Sequence, residues 1–193
     1  MSINLLETVQ NNLRYPALQK IDPNTQQVIS DEQTPHEHKF SQAAIPAVLT
    51  AMYRFVQSDE GATEFLQVNK SGNWIDKIFD DSKKAVIQTI SSYSEQSGED
   101  PVAKIDAIAT EAVKVVKAHL PEAAGIKDVK AFFKDQKANI LLYLPADLNM
   151  GELLHDNTLD DNTNKMEGPI SSLIQSIGAA FSTNATEEEI KSK

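Results

Sequence analysis

A chain of 193 residues without cysteine has room for a core that needs no covalent staples, since a domain of this size buries roughly 70% of the surface its unfolded form exposes. The missing thiols exclude a disulfide framework, thiolate metal sites and a cysteine nucleophile. A formal net charge of −10 repels phosphate backbones and anionic lipid, so neither nucleic acid nor a membrane is an expected partner.

From the N-terminus, Met1 to Glu7 shows no basic n-region and no long apolar run, so no secretion signal is read there. The longest uncharged stretch falls short of the ~20 apolar residues a bilayer requires. A cytoplasmic location is the expectation. Leu5, Leu6, Val9 and Leu13 share one face of a first helix. A second short helix is expected to start at Pro16, and Asp22-Pro23 to open a third, with the carboxylate capping free N–H groups and the proline placed where its missing donor costs nothing.

Thr34-Pro35-His36-Glu37 is a stronger start signal, because Thr34 and Glu37 have the spacing of a reciprocal capping box. The helix it begins is predicted to reach about Gln57. Its stretch Phe40 to Tyr53 carries no charge in a chain that is 24% charged. A helix apolar almost all round is normally central, and Ala43, Ala47 and Ala51 let a neighbour come close. Pro46 deletes one backbone hydrogen bond at a usual interior cost of ~3 kcal/mol, which predicts a kink or a break there.

Asp59 is expected to cap the next short helix, which carries Phe65 and Leu66. After the turn Ser71-Gly72-Asn73, Trp74, Ile75, Ile78 and Phe79 begin an apolar segment. Val86, Ile87, Ile90 and Tyr93 continue it beyond a break at Asp80-Asp81. Asp100-Pro101 opens the most regular helix, with Val102, Ile105, Ala109, Ala112 and Val116 stepping by three and four, and Pro121 ends it. Ile126, Val129, Phe132 and Phe133 line the following helix, which is predicted to stop before Pro145. The recurring lysines from Lys114 to Lys137 alternate with Glu122, Asp128 and Asp135, the pattern of a solvated mixed-charge face. Asp147 to Glu167 sets six acidic residues against Lys165. Ile170, Leu173, Ile174, Ile177 and Phe181 then make an amphipathic helix, followed by a frayed tail from 182 to 193.

The strongest local candidate for chemistry is the acidic stretch. Set on the calcium loop of an EF-hand, Asp156 falls on position one, Asp160 on five, Asn162 on seven and Glu167 on twelve, where a hard cation takes oxygen ligands. Against that register, Asp161 stands where the loop requires glycine and Thr163 where it has an apolar residue. An Asp/Asn-rich turn with Asn164 as a helix cap is the competing reading. His36 and His38 lie near a helix start and point about 160° apart under helical geometry, so they do not converge on one metal. His119 sits at a helix C-terminus, where a cation is favoured, and His155 borders the acidic loop. No phosphate-cradling glycine loop, nucleophile elbow or H-E-x-x-H motif is present. Ser91, Ser92 and Tyr93 cluster without a general base nearby in sequence.

Two segments, Gln42 to Leu49 (QAAIPAVL) and Glu60 to Leu66 (EGATEFL), resemble the YidB-like family, a set of bacterial helical proteins of unknown function. The likeness covers the first third of the chain. It implies a multihelical fold and a bacterial cytoplasmic origin, and it brings no catalytic residues.

The expectation is an all-α, multihelical single domain over residues 1–181, built around a buried, proline-kinked central helix. Its expected role is that of a non-enzymatic interaction or scaffold module with a protein partner, its oligomeric state left open and no cofactor required. Two alternatives stand beside it. One is a regulator responsive to calcium or another metal through Asp156, Asp160, Asn162 and Glu167. The other is an enzyme whose site assembles from distant helices.

Overall fold

The computed structural model describes residues 3–22, 28, 34–67, 73–95 and 100–156, all within the unit formed by residues 1–160. These residues form eight α-helices: α1 (Leu5–Asn12), α2 (His36–Phe55), α3 (Asp59–Gln67), α4 (Trp74–Phe79), α5 (Lys83–Ser94), α6 (Pro101–His119), α7 (Ile126–Leu141) and α8 (Met150–Leu153). Two 3-10 turns, Asp80–Ser82 and Ala146–Leu148, join them. No strand occurs among the described residues, so the all-α reading holds. The expected boundary at 181/182, the third helix after Pro23 and the amphipathic helix of Ile170 to Phe181 lie outside the described residues.

The uncharged run becomes the hub. Every residue of α2 from Phe40 to Met52 is buried, and α1, α4, α5, α6 and α7 all pack on it. Their directions follow from the contacts at their ends. The last residues of α5 meet the start of α2 through His36 Nδ1 and the Ser94 carbonyl, 3.0 Å apart, and through Lys39 and Glu95 at 2.9 Å. The end of α7 returns to Gln42. These two helices therefore run against α2. Helix α6 runs with it, since Lys104 near its start lies over the Phe40 ring at 5.4 Å. At its other end Lys117 lies over Phe65 in α3 at 5.9 Å. Around Phe65 the aromatic core closes, with Trp74 at 5.6 Å and Phe133 edge-on at 5.7 Å between ring centroids.

Several local signals act as the sequence suggests. Asp100 accepts from the Val102 and Ala103 N–H groups with Pro101 at the first helical position, and α6 stops at His119 with Leu120 extended before Pro121. The break at Asp80-Asp81 is real: Asp80 takes φ 47° and ψ −128°, a combination outside the regions L-residues ordinarily occupy, and turns the chain between α4 and α5.

Four expectations are corrected. Of the kink or break expected at Pro46, the break does not occur, because α2 is helical on both sides of it. The Thr34–Glu37 capping box does not form. Pro35, with ψ of 143°, occupies the cap position, and its ring has no acceptor to offer the free N–H groups. The cap of α3 is Ser58, not Asp59, which is its first helical residue. Ser58 Oγ accepts from the Gly61 N–H at 2.9 Å. Finally, no helix starts at Pro16. Residues 15–22 form neither helix nor strand, and the rigid φ of proline suits an irregular segment as well as a helix start.

Buried polar groups decide where this core is improvable. Among the described residues the buried polar side chains are Gln10, Ser41, Gln42, Thr50, Ser94 and Gln136, all neutral. Of these, the Thr50 hydroxyl finds no hydrogen-bond partner. An unsatisfied buried polar group costs about 1–3 kcal/mol. Thr50→Val keeps the shape and removes the hydroxyl, so it should stabilise the fold by about 1 kcal/mol. Calorimetric melting should show this as a rise of roughly 2–4 °C in Tm, the scale for a chain of this size.

Candidate functional site

Of the four residues in the calcium-loop register, only Asp156 is among the described residues. Its N–H donates to the Gly151 carbonyl at 2.8 Å, ending the turn after α8. Asp160, Asn162 and Glu167 lie outside them. Among the described residues no three His, Asp or Glu side chains come together as a metal site. His36 and His38 are exposed in the first turn of α2. His119 Nδ1 stands 2.8 Å from the Val115 carbonyl one turn back, which fits its reading as a helix-end residue. His155 is exposed, with a φ of 54°. The lysines of the 114–137 region serve the helix surfaces. Lys114 pairs with Glu111 at 3.1 Å, Lys130 pairs with Asp59, and Lys137 lies 5.2 Å over the Tyr53 ring. Burial beside Phe65 pushes the Lys117 pKa down.

Two other features carry geometry that the sequence did not single out. The first is a pair of glutamine clamps. Gln136, inside α7, accepts from the Leu5 N–H and donates to the Ile3 carbonyl, both at 2.9 Å, and so fixes the entry to α1. Gln42, inside α2, does the same for the segment 15–22. Its Oε1 accepts from the Gln19 N–H at 2.7 Å and its Nε2 donates to the Gln19 carbonyl at 3.0 Å. The same Nε2 donates to the Tyr143 carbonyl at 2.9 Å. Two residues further along, the Ile21 N–H donates to the Leu142 carbonyl at 3.0 Å. Tyr15, Leu18 and Ile21 are half-buried against the core while Ala17, Gln19 and Lys20 are exposed. Pro16 and Asp22 are half-buried as well, so the segment lays most of its length against the core and turns Ala17, Gln19 and Lys20 outward. The α2–α7 junction thus holds this backbone through polar atoms at Gln19 and Ile21.

The second feature is a cleft of about 390 Å³ between α5 and the turn Ala146–Leu148. Ala85, Gln88, Thr89, Ser92 and Tyr93 line it from one continuous stripe of α5, and Asp147 closes it from the turn. The stripe follows the helical i, i+3, i+4, i+7, i+8 spacing. Asp147 joins it because Ser82, just before α5, donates from its hydroxyl to the Leu153 carbonyl in α8, tying the chain after α7 to this helix. Burial pushes the Tyr93 phenol up from its ordinary pKa, and the nearby Asp147 carboxylate adds to the shift. The phenol therefore stays protonated through the physiological range. At the C-terminal end of α5, the hydrogen bond from Lys39, and then its charge, hold the exposed Glu95 carboxyl below its ordinary range.

No helix among the described residues is long and apolar enough to cross a membrane. Comparison with known proteins adds no relative: no protein-family model matches the chain, and neither do any curated protein or any solved structure.

Proposed function

We propose that this chain is a non-enzymatic helical interaction module that holds a peptide segment at the α2–α7 junction. The observation that carries this reading is the double contact of Gln42 with the N–H and C=O of a single residue, Gln19. Pairing with both backbone groups of one residue is how extended peptides are recognised without regard to sequence, while pockets for spaced side chains supply selectivity. In this chain the seat is taken in cis by residues 15–22. The buried amides among the described residues support the same reading, since they are used to hold backbone. The YidB-like resemblance belongs to this proposal as well. Its two segments contain Gln42, which makes the clamp, and Gly61, which sets the corner between α2 and α3.

A labelled nine-residue peptide of the sequence Arg14 to Asp22 tests it by fluorescence anisotropy on the full chain. Gln19→Pro in the protein removes the N–H that Gln42 accepts and should empty the seat. The wild-type chain carries its own segment at an effective concentration near millimolar. The peptide should therefore bind Gln19→Pro protein at least tenfold more tightly than wild type, and a peptide with proline in place of Gln19 should not bind. If the helical Gln19→Pro chain takes up neither peptide, or both equally, the reading is wrong.

A further inference from the structure

A groove of about 580 Å³ lies beside the start of α5 and shares no residue with the peptide seat. We propose that it binds a free amino acid with a branched apolar side chain, whose ammonium meets Asp80 and Asp81 and whose carboxylate meets Lys84.

The volume lies within the range of about 300–1,000 Å³ typical of ligand pockets. Ile87 in α5 and Val102 at the start of α6, both half-buried, give the groove an apolar floor, on which an apolar side chain leaves water. Charges of both signs surround this floor. Lys83 is paired with Asp76. The side chains of Asp80, Asp81 and Lys84 enter no hydrogen bond or ion pair among the described residues. On a regular helix, carboxylates three and four residues before a lysine would pair with it; the chain breaks at Asp80 instead, and no such pair forms. The groove therefore offers two carboxylates and one ammonium, each open to a ligand. An anion would meet the two carboxylates, and a cation would meet Lys84. A zwitterion answers both signs, and the Gln88 amide at the edge can donate to it or accept from it. The backbone adds an independent argument. Asp80 holds φ 47° and ψ −128°, and glycine visits positive φ at no steric cost. An aspartate there holds its carboxylate at the groove against a backbone penalty, and penalties of this kind cluster at ligand sites.

Amide NMR titration of the full chain with L-leucine tests the assignment. Saturable shifts at one site, centred on Asp80 to Gln88 and on Val102, are expected. Three analogues each lack one part: 3-methylbutylamine the carboxylate, 4-methylpentanoate the ammonium, glycine the side chain. Each should bind several-fold more weakly than leucine. Asp81 and Lys84 are exposed, so their variants are expected to fold. Asp81→Asn and Lys84→Gln should each weaken leucine binding by roughly three- to fivefold, the scale of an exposed ion pair. Lys134→Gln and Asp135→Asn make the same charge changes on the exposed side of α7 and should leave it unchanged. Asp80→Gly relieves the backbone, so its melting midpoint should rise while leucine binding weakens, which separates lost binding from lost structure. Three results overturn the proposal: no saturable shifts at tens of millimolar leucine; binding of the amine or the carboxylate analogue as tight as that of leucine; or Asp80→Gly and Lys84→Gln chains that bind leucine as wild type does.

Discussion

Gly61→Ala should be among the most damaging single substitutions in this protein, costing about 3 kcal/mol or more. A β-carbon at Gly61 would lie 2.0 Å from the Phe55 carbonyl oxygen and 2.9 Å from both the Phe55 carbonyl carbon and the Ser58 hydroxyl. The obstacle is mostly backbone, the last turn of α2, so no side-chain rotation relieves it. The first turn of α3 would have to move off α2, opening the packing of Ala62 and Phe65, both buried. Overpacking of a tight site commonly costs 1–3 kcal/mol and occasionally more. The helix preference of alanine over glycine returns only about 1 kcal/mol. Gly125→Ala is the internal control. Its nearest foreign atom would be the Asp128 carboxylate at 3.8 Å, ordinary contact, so its effect should stay within about 1 kcal/mol of zero. Denaturant unfolding of both variants checks the contrast. Equal midpoints for Gly61→Ala and wild type would show that the α2–α3 corner yields freely.

Gln42→Leu should rank beside it. The leucine fits an apolar neighbourhood, yet three backbone groups lose their partner: the Gln19 N–H, the Gln19 carbonyl and the Tyr143 carbonyl. An orphaned buried group costs about 1–3 kcal/mol, and two of these three are only partly buried. A total loss of about 2–4 kcal/mol is therefore expected. With roughly 2–4 °C of Tm per kcal/mol for a chain of this length, the melting point should fall by roughly 5–15 °C. Gln42→Glu separates the clamp from simple packing. Its carboxylate would face two carbonyl oxygens where the amide N–H groups now donate, which raises the folded-state pKa of the new glutamate. Such a group supports the fold fully below the unfolded pKa of about 4.3 and loses that support as pH rises. Gln42→Glu should thus approach wild type near pH 4 and fall furthest behind at neutral pH. A constant deficit across that window would count against the clamp.

What the sequence made legible follows from how local each cause is. The burial of α2 was readable because fourteen consecutive uncharged residues, Phe40 to Tyr53, suit no other place in an acidic chain. The start of α6 was readable because Asp100 and Pro101 act on N–H groups two and three residues away. The same local rules misplaced the caps of α2 and α3 by one residue, since Thr34-Pro35 and Ser58-Asp59 each offer adjacent alternatives. Gln42 was hidden for the opposite reason. It is a neutral amide in an apolar run, and its decisive partner, Tyr143, lies 101 residues away. The cleft was half visible. Ser92 and Tyr93 stood out as neighbours, but Asp147 reaches them only once the chain after α7 has folded back on α5. The role of Gly61 cannot be read from a glycine inside a helical pattern, because it depends on where the end of α2 lies in space.

The long return from Tyr143 to Gln42 also bears on how the chain is made. On a ribosome adding about 5–20 residues per second, the apolar rod around Ala47 emerges well before α7, the helix that walls it off, has been synthesised. For roughly 5–20 s the nascent polypeptide displays its stickiest surface with part of its cover still unwritten. Any cell that makes this protein must shield that stretch, by a holding chaperone or by transient docking of α5 and α6, until the last wall arrives.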